Sequence, residues 1–269
     1  MKHEAMPAPG SEEAEVKAAV WKSSLRDYGL LMTLLVIMAF FYFLTNGISL
    51  ARFAPLRERQ AAVPPPVLCL IGRVVPIKDI KTFIRAMRRV VNRLPVAEGW
   101  IVGPEDEDPA YAEECRNLVE SLGLQERVKF LGFRRVEDIL PQVGVVVLSS
   151  ISEALPLVLL EGYAAGVPAV STDVGSCRQL IEGVGADDCA LGCSGRVVRI
   201  ADPLGLADAA LELLESPPAW HAARTAAIAR VERYYHDALM FARYRDVYDA
   251  ALAAPALSLP AAAAPPGGG

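Results

Sequence analysis

Beyond residue 66 this sequence predicts an α/β fold, a Rossmann-like, doubly wound parallel sheet in a single domain. Three observations predict it. Short apolar, β-rich runs recur at 67–71, 100–102, 128–131, 145–148, 169–171 and 196–200. Stretches at helical spacing alternate with them, at 80–91, 111–122, 136–142, 157–165, 177–181 and 204–214. The strand runs are apolar throughout, which implies a parallel sheet covered on both faces.

In chain order, residues 1–27 are polar, with Glu12, Glu13 and Glu15 giving way to Lys17, Lys22 and Arg26. Early disorder and then a short interfacial helix at 14–25 are expected. Residues 28–50 carry no charge, and Tyr28 and Tyr42 stand near the ends of their apolar run. That length suits a transmembrane helix with interfacial aromatics. The long polar lead, without a small-residue cleavage site, argues against a secretory signal peptide. Three cations flank each end (Lys17, Lys22, Arg26; Arg52, Arg57, Arg59), so charge does not choose an orientation. Residues 51–66 read as a linker ending in Pro64-Pro65-Pro66.

The first helix of the domain has Asp79 as a cap and Ile80, Phe83, Ile84, Met87 and Val91 at helical spacing. Asp202-Pro203 marks another helix start. Two more helices, at 219–234 and 238–253, close a domain spanning 67–253. The Ala/Pro/Gly tail, 254–269, is expected to be disordered.

Composition narrows the function. The net charge of −5 and the lack of a dense Lys/Arg block argue against a nucleic-acid partner. Five scattered cysteines (Cys69, Cys115, Cys177, Cys189, Cys193) lack metal-site spacing and read as reduced, buried thiols. Three histidines, His3, His221 and His236, supply neither a His-based metal centre nor a Ser-His-Asp triad.

Open α/β sheets bind ligands beyond the carboxyl ends of their strands. The most informative stretch there runs from Glu153 to Glu161. From Ala154 to Thr172 the only charged side chain is Glu161. A carboxylate in such apolar company is costly unless hydrogen-bond donors meet it, and sugar or ribose hydroxyls are such donors. Amides at the start of the same helix suit a phosphate. Blander readings stand beside these: Glu153 as a helix cap, Glu161 as a helix-surface residue. After the first strand, Gly72 permits a turn, and Arg73 and Lys78 either neutralise a diphosphate or are solvated surface cations. Thr172-Asp173-Val174-Gly175-Ser176 is a third phosphate-facing loop or an ordinary strand-to-helix turn. Gly103-Pro104 is a turn that also permits close nucleotide approach.

Together these residues resemble the nucleotide-sugar-binding C-terminal half of retaining GT-B glycosyltransferases of family four. Gly72-Arg73 with Lys78 resembles that family's G-R-x(4)-K element. Ser152-Glu153, Pro156, Leu159-Leu160-Glu161 and Ala165-Gly166-Val167-Pro168 resemble its E-x(7)-E segment and the turn that follows. Gly103-Pro104 with Tyr111-Ala112-Glu113-Glu114-Cys115, and Thr172 to Arg178, are most similar to the Pel exopolysaccharide glycosyltransferases. The leader from Ser24 to Leu30 weakly resembles the first segment of sugar-transporter permeases.

The resemblance implies a hexosyltransferase that moves a hexose, glucose from UDP-glucose, with retention, to a growing exopolysaccharide. It implies that Arg73 and Lys78 bind the diphosphate and stabilise the leaving group. Glu161 would take the ribose hydroxyls and Glu153 the donor hexose. Gly72 and the backbone of Ala154, Leu155, Pro156, Leu157 and Val158 would complete the donor site. No metal and no cofactor beyond the donor are implied. Two positions depart from the family pattern: Ala154-Leu155 stand where Gly-Phe is usual, and Gly144 where an aspartate is. The family pairs two Rossmann-like halves, so a separate acceptor-binding chain is an expected partner, beside the membrane and the polysaccharide. The expected location is the inner membrane, single-pass, with the domain on the cytoplasmic side. A non-catalytic UDP-sugar-binding or docking module, from a truncated or fused gene, is the alternative.

Overall fold

The computed structural model describes residues 48–59 and 62–253. The polar leader, residues 28–47 of the expected span with the permease-like segment, and the Ala/Pro/Gly tail lie outside the described residues.

Six parallel strands form one sheet: β1 (Val67–Ile71), β2 (Glu98–Val102), β3 (Val128–Gly132), β4 (Val145–Leu148), β5 (Ala169–Thr172) and β6 (Gly195–Val198). Their spatial order is β3-β2-β1-β4-β5-β6. The chain thus builds outward from β1 in one direction and returns to its other side at β4, leaving a crevice between the carboxyl ends of β1 and β4. Side chains of these two strands alternate between two cores. Leu68, Leu70, Val145 and Val147 enter one, Val67, Cys69, Val146 and Leu148 the other. Burial on both faces is why these strands read as unbroken apolar runs.

The helices are α1 (Leu50–Phe53), α2 (Ile80–Arg93), α3 (Pro109–Ser121), α4 (Val136–Ile139), α5 (Leu157–Ala165), α6 (Cys177–Glu182), α7 (Gly185–Cys189), α8 (Pro203–Glu215), α9 (Pro217–Arg230) and α10 (Asp237–Ala253). Helices α2, α3 and α8 cover the first core. Helices α1, α5 and α6 cover the second. Asp79 caps α2 by accepting from the Thr82 amide at 3.3 Å, as the sequence predicts. Asp202 caps α8 through the Gly205 amide at 2.8 Å. Asp108, which sequence reading passed over, caps α3 through the Tyr111 amide at 3.0 Å.

Several boundaries differ from expectation. Strand β2 starts two residues early, at Glu98, because the Glu98 amide donates to the Pro66 carbonyl at 2.9 Å and Gly99 pairs with Leu68 of β1. Strand β6 stops at Val198, since Ile200 is exposed and Ala201 takes a positive φ of 54°. Helix α7 was not anticipated.

The segment expected as a linker is instead folded onto the domain. Helix α1 leads into a 3-10 helix at Ala54–Arg59, and Phe53 and Leu56 are buried in the second core. The Arg57 guanidinium donates to the Ala164 carbonyl at 2.7 Å and pairs with Glu232 at 2.5 Å. Ile48, expected at the end of the membrane span, is buried and bridges to His236. Among the described residues no helix is long and apolar enough to cross a membrane.

Gly144 keeps β1 and β4 in register. Its amide donates to the Val67 carbonyl at 2.9 Å, and a Cβ there would stand 2.0 Å from the Pro65 oxygen. A larger residue here would force the Pro65 carbonyl to move. The fully buried Trp220 of α9 donates to the Gly144 carbonyl at 2.7 Å, anchoring the closing helix beside the sheet.

Candidate functional site

Three loops meet at the carboxyl ends of β1, β4 and β5, and the backbone fastens them together. In the loop after β1, the Ile77 carbonyl accepts from the Ile151 amide at 2.9 Å, and the Lys78 carbonyl accepts from Ser149 Oγ at 2.8 Å. Thr172 Oγ1, at the end of β5, donates to the Ser150 carbonyl at 2.7 Å. The Ser176 amide and hydroxyl both reach the Ala154 carbonyl, at 3.0 and 2.9 Å. Gly175, at φ 51°, lets that third loop pass so close that a Cβ would lie 2.2 Å from the Glu153 backbone carbonyl oxygen. The Thr172–Ser176 turn therefore holds the Glu153 loop in place.

This frame brings Lys78 and Glu153 together, 75 residues apart in sequence. Lys78 Nζ meets Glu153 Oε1 at 2.5 Å, with the side chains 20% and 15% exposed. Ser150 Oγ donates to the same oxygen at 2.8 Å. Glu153 is thus no helix cap. Both contacts fall on Oε1, which leaves Oε2 as an acceptor for a ligand hydroxyl. Gly72, at the base of the loop, has the Lys78 Cε only 3.6 Å from where its Cβ would be.

Arg73 is not drawn into this cluster. Its Nη1 donates to both carboxylate oxygens of Glu107, at 2.6 and 2.7 Å, and both side chains are about half exposed. An exposed pair of this kind is worth about 0–1 kcal/mol, so it holds Arg73 only weakly. Gly103 supports the same wall. Its φ is 152°, and a Cβ would lie 2.0 Å from the Gly72 oxygen, so no larger residue fits the approach of the two loops.

Helix α5 starts at Leu157 with Pro156 before it and no side-chain cap; the Leu159 amide donates to the Pro156 carbonyl at 3.1 Å, and the amides of Leu157 and Val158 remain available to an anion. Ala154, Leu155 and Leu157 are exposed at this rim, Val158 is half-buried and Pro156 is buried. Glu161 lies one turn further along α5, half-buried, with no hydrogen bond or ion pair among the described residues. Burial pushes its carboxyl up; Arg52 pulls it back and Glu137 pushes it up again. An unpaired, partly desolvated carboxylate is an acceptor awaiting donors.

Arg52 and Glu137 were missed by sequence reading. Arg52 Nε donates to Glu137 Oε1, and that bond, first among its causes, holds the Glu137 carboxyl down at about 2. Only the paired tertiary structure reveals this contact, because the partners lie 85 residues apart. Of the five thiols, Cys69, Cys115 and Cys177 are buried as expected, whereas Cys189 and Cys193 are exposed.

Comparison with known proteins places this geometry in context. The curated relatives include D-inositol 3-phosphate glycosyltransferase 2 of Catenulispora acidiphila, 30% identical over 64% of this chain and 42% of the relative. The D-inositol 3-phosphate glycosyltransferase of Streptomyces scabiei is 28% identical over 77% of this chain and 48% of its own length. The chain spans about half the length of the curated relatives it matches. Among solved structures, Anabaena Alr3699/HepE in complex with UDP and glucose shares the fold, with a TM-score of 0.65 at 20% identity. That likeness covers 76% of this chain and 56% of the neighbour. A family profile described as glycosyl transferases group 1 matches residues 65–216, more than half of the chain. The chain therefore belongs to the group 1 glycosyl transferase family.

Proposed function

We propose that residues 67–253 form the donor-binding half of a retaining glycosyltransferase that transfers a hexose from a UDP-sugar. The observation that carries this reading is the Lys78–Glu153 contact at the crevice between β1 and β4. Lys78 would neutralise a diphosphate and the charge that develops on it as the sugar leaves. Glu153, with Oε2 free, takes a hydroxyl of the donor hexose. The uncapped start of α5 offers amides to the phosphate or sugar, and Glu161 takes the ribose hydroxyls. Arg73 exchanges Glu107 for the diphosphate.

Glucose as the sugar is supported by the neighbour whose crystal holds UDP and glucose. Exopolysaccharide as the acceptor rests on the Pel-like motifs. The acceptor-binding part is supplied by a second domain or a separate chain, as expected for a region about half the relatives' length. The uncharged stretch at 28–47 would tether this half to the inner membrane, with the donor site facing cytosolic nucleotide sugars. The chemistry is proposed to run without a metal ion, Lys78 and the amides supplying the positive charge.

The test is release of UDP from UDP-glucose by the purified full chain, with polysaccharide-bearing membranes as acceptor. Release that depends on the acceptor and is lost in Glu153→Gln supports transfer. UDP-glucose binding without release favours a docking or sensing module.

A further inference from the structure

Away from the donor loops, a groove of about 700 Å³ runs between α2 and α8. Helix α2 turns Phe83, Ile84, Met87 and Val90 into the core, which leaves Arg85, Arg88, Arg89 and Arg93 on its outer face. Two of these cations are matched across the groove: Arg89 pairs with Asp208 at 2.6 Å and Arg93 with Glu215 at 2.9 Å. The third acid of the groove, Glu212, is taken by Arg196 of β6. Arg85 and Arg88 therefore face the groove with no carboxylate among the described residues left for them. Like charges three and four residues apart on a helix repel one another.

We propose that the groove is a binding site for a phosphate-bearing ligand, gripped by Arg85 and Arg88. Two planar guanidinium forks on neighbouring turns match the oxygens and the double charge of a terminal phosphate. The surplus of two positive charges is what such a dianion neutralises. Leu204 and Leu211 line the same groove, and Leu204 is 60% exposed, offering an apolar wall to the organic body that carries the phosphate. The ligand is either a soluble phosphate ester or the headgroup of a phosphate monoester lipid. This site is separate from the donor loops, and its occupancy does not depend on the donor reading.

The experiment uses the full chain and its Arg85→Gln/Arg88→Gln variant, in saturating UDP so that the donor loops are occupied. One arm titrates inorganic pyrophosphate by calorimetry. The other measures co-sedimentation with phosphatidylcholine vesicles with and without phosphatidic acid. Thermal melting shows that the variant is folded, and UDP affinity unchanged within about twofold shows that the donor loops are undisturbed. The wild type is expected to bind at least one probe about tenfold more tightly than the variant, with an affinity that falls as salt rises. Pyrophosphate binding alone identifies a soluble ligand; a gain from phosphatidic acid alone identifies a lipid. Equal binding by both proteins in both arms, or none by the wild type, overturns the proposal.

Discussion

Replacing Lys78 with methionine isolates the contact on which the site depends. Methionine keeps much of the stem that packs against Gly72 and removes the ammonium. Glu153 then retains Ser150 as a donor and loses the 2.5 Å charged partner. A hydrogen bond between charged groups contributes about 1.5–3 kcal/mol net. Side chains only 20% and 15% exposed place this pair toward the middle of that range, about 2 kcal/mol. With a urea dependence of about 1–3 kcal/mol per molar, the unfolding midpoint should fall by about 1 M. Tryptophan fluorescence can follow the transition, since Trp220 is fully buried. Glu153→Gln and the double variant complete a cycle, which should give a coupling energy of about 1–2 kcal/mol. Coupling below about 0.3 kcal/mol would mean that the two side chains are independent, and the donor-site geometry argued above would be wrong.

Three further outcomes follow from the same contacts. Gly103→Ala forces a Cβ to within 2.0 Å of the Gly72 oxygen at a φ of 152°, so it should cost about 2 kcal/mol or more in urea unfolding and weaken UDP binding as the two loops part. Arg52 holds the Glu137 carboxyl at about 2, so the pair stabilises the fold above the ordinary carboxylate range and its contribution is lost as pH falls toward 2. Because Arg52 is 54% exposed, that contribution is about 1 kcal/mol, and Arg52→Met should flatten the decline in the free energy of urea unfolding between pH 5 and pH 2 by that amount. Glu161 has its carboxyl pushed up by burial, so its ionisation in the folded chain lowers stability as pH rises. Glu161→Gln should then raise the free energy of urea unfolding at pH 7, by under about 1 kcal/mol, while weakening nucleotide binding.

The sheet was legible because burial on both faces writes each central strand as an unbroken apolar run, as in Val145 to Leu148. The caps at Asp79 and Asp202 were legible for a local reason, since each acts on an amide three residues away. What escaped depends on distant partners. Phe53 and Leu56 are scattered among arginines and a proline, and partners about a hundred residues on, in α5 and around Leu140, make that segment part of the core. The pairing of Arg73 with Glu107 was hidden similarly, because the motif specifies the cation and not the exposed acid that pairs with it. Lys78 and Glu153 could be nominated from spacing and resemblance, but their meeting rests on loop contacts through Ser149, Ile151 and Thr172 that carry no distinctive pattern. Cys189 ends α7 and Cys193 stands in the connection to β6, and composition does not predict their exposure.

The most direct test of the donor-site account is calorimetric titration of UDP and UDP-glucose into the full chain and its Glu161→Ala variant. The account predicts dissociation constants of the order of 1–100 μM for the wild type, equivalent to about 5.5–8 kcal/mol, and at least a tenfold loss in the variant. Absence of binding to the folded wild type, or equal affinity in the two proteins, would contradict it.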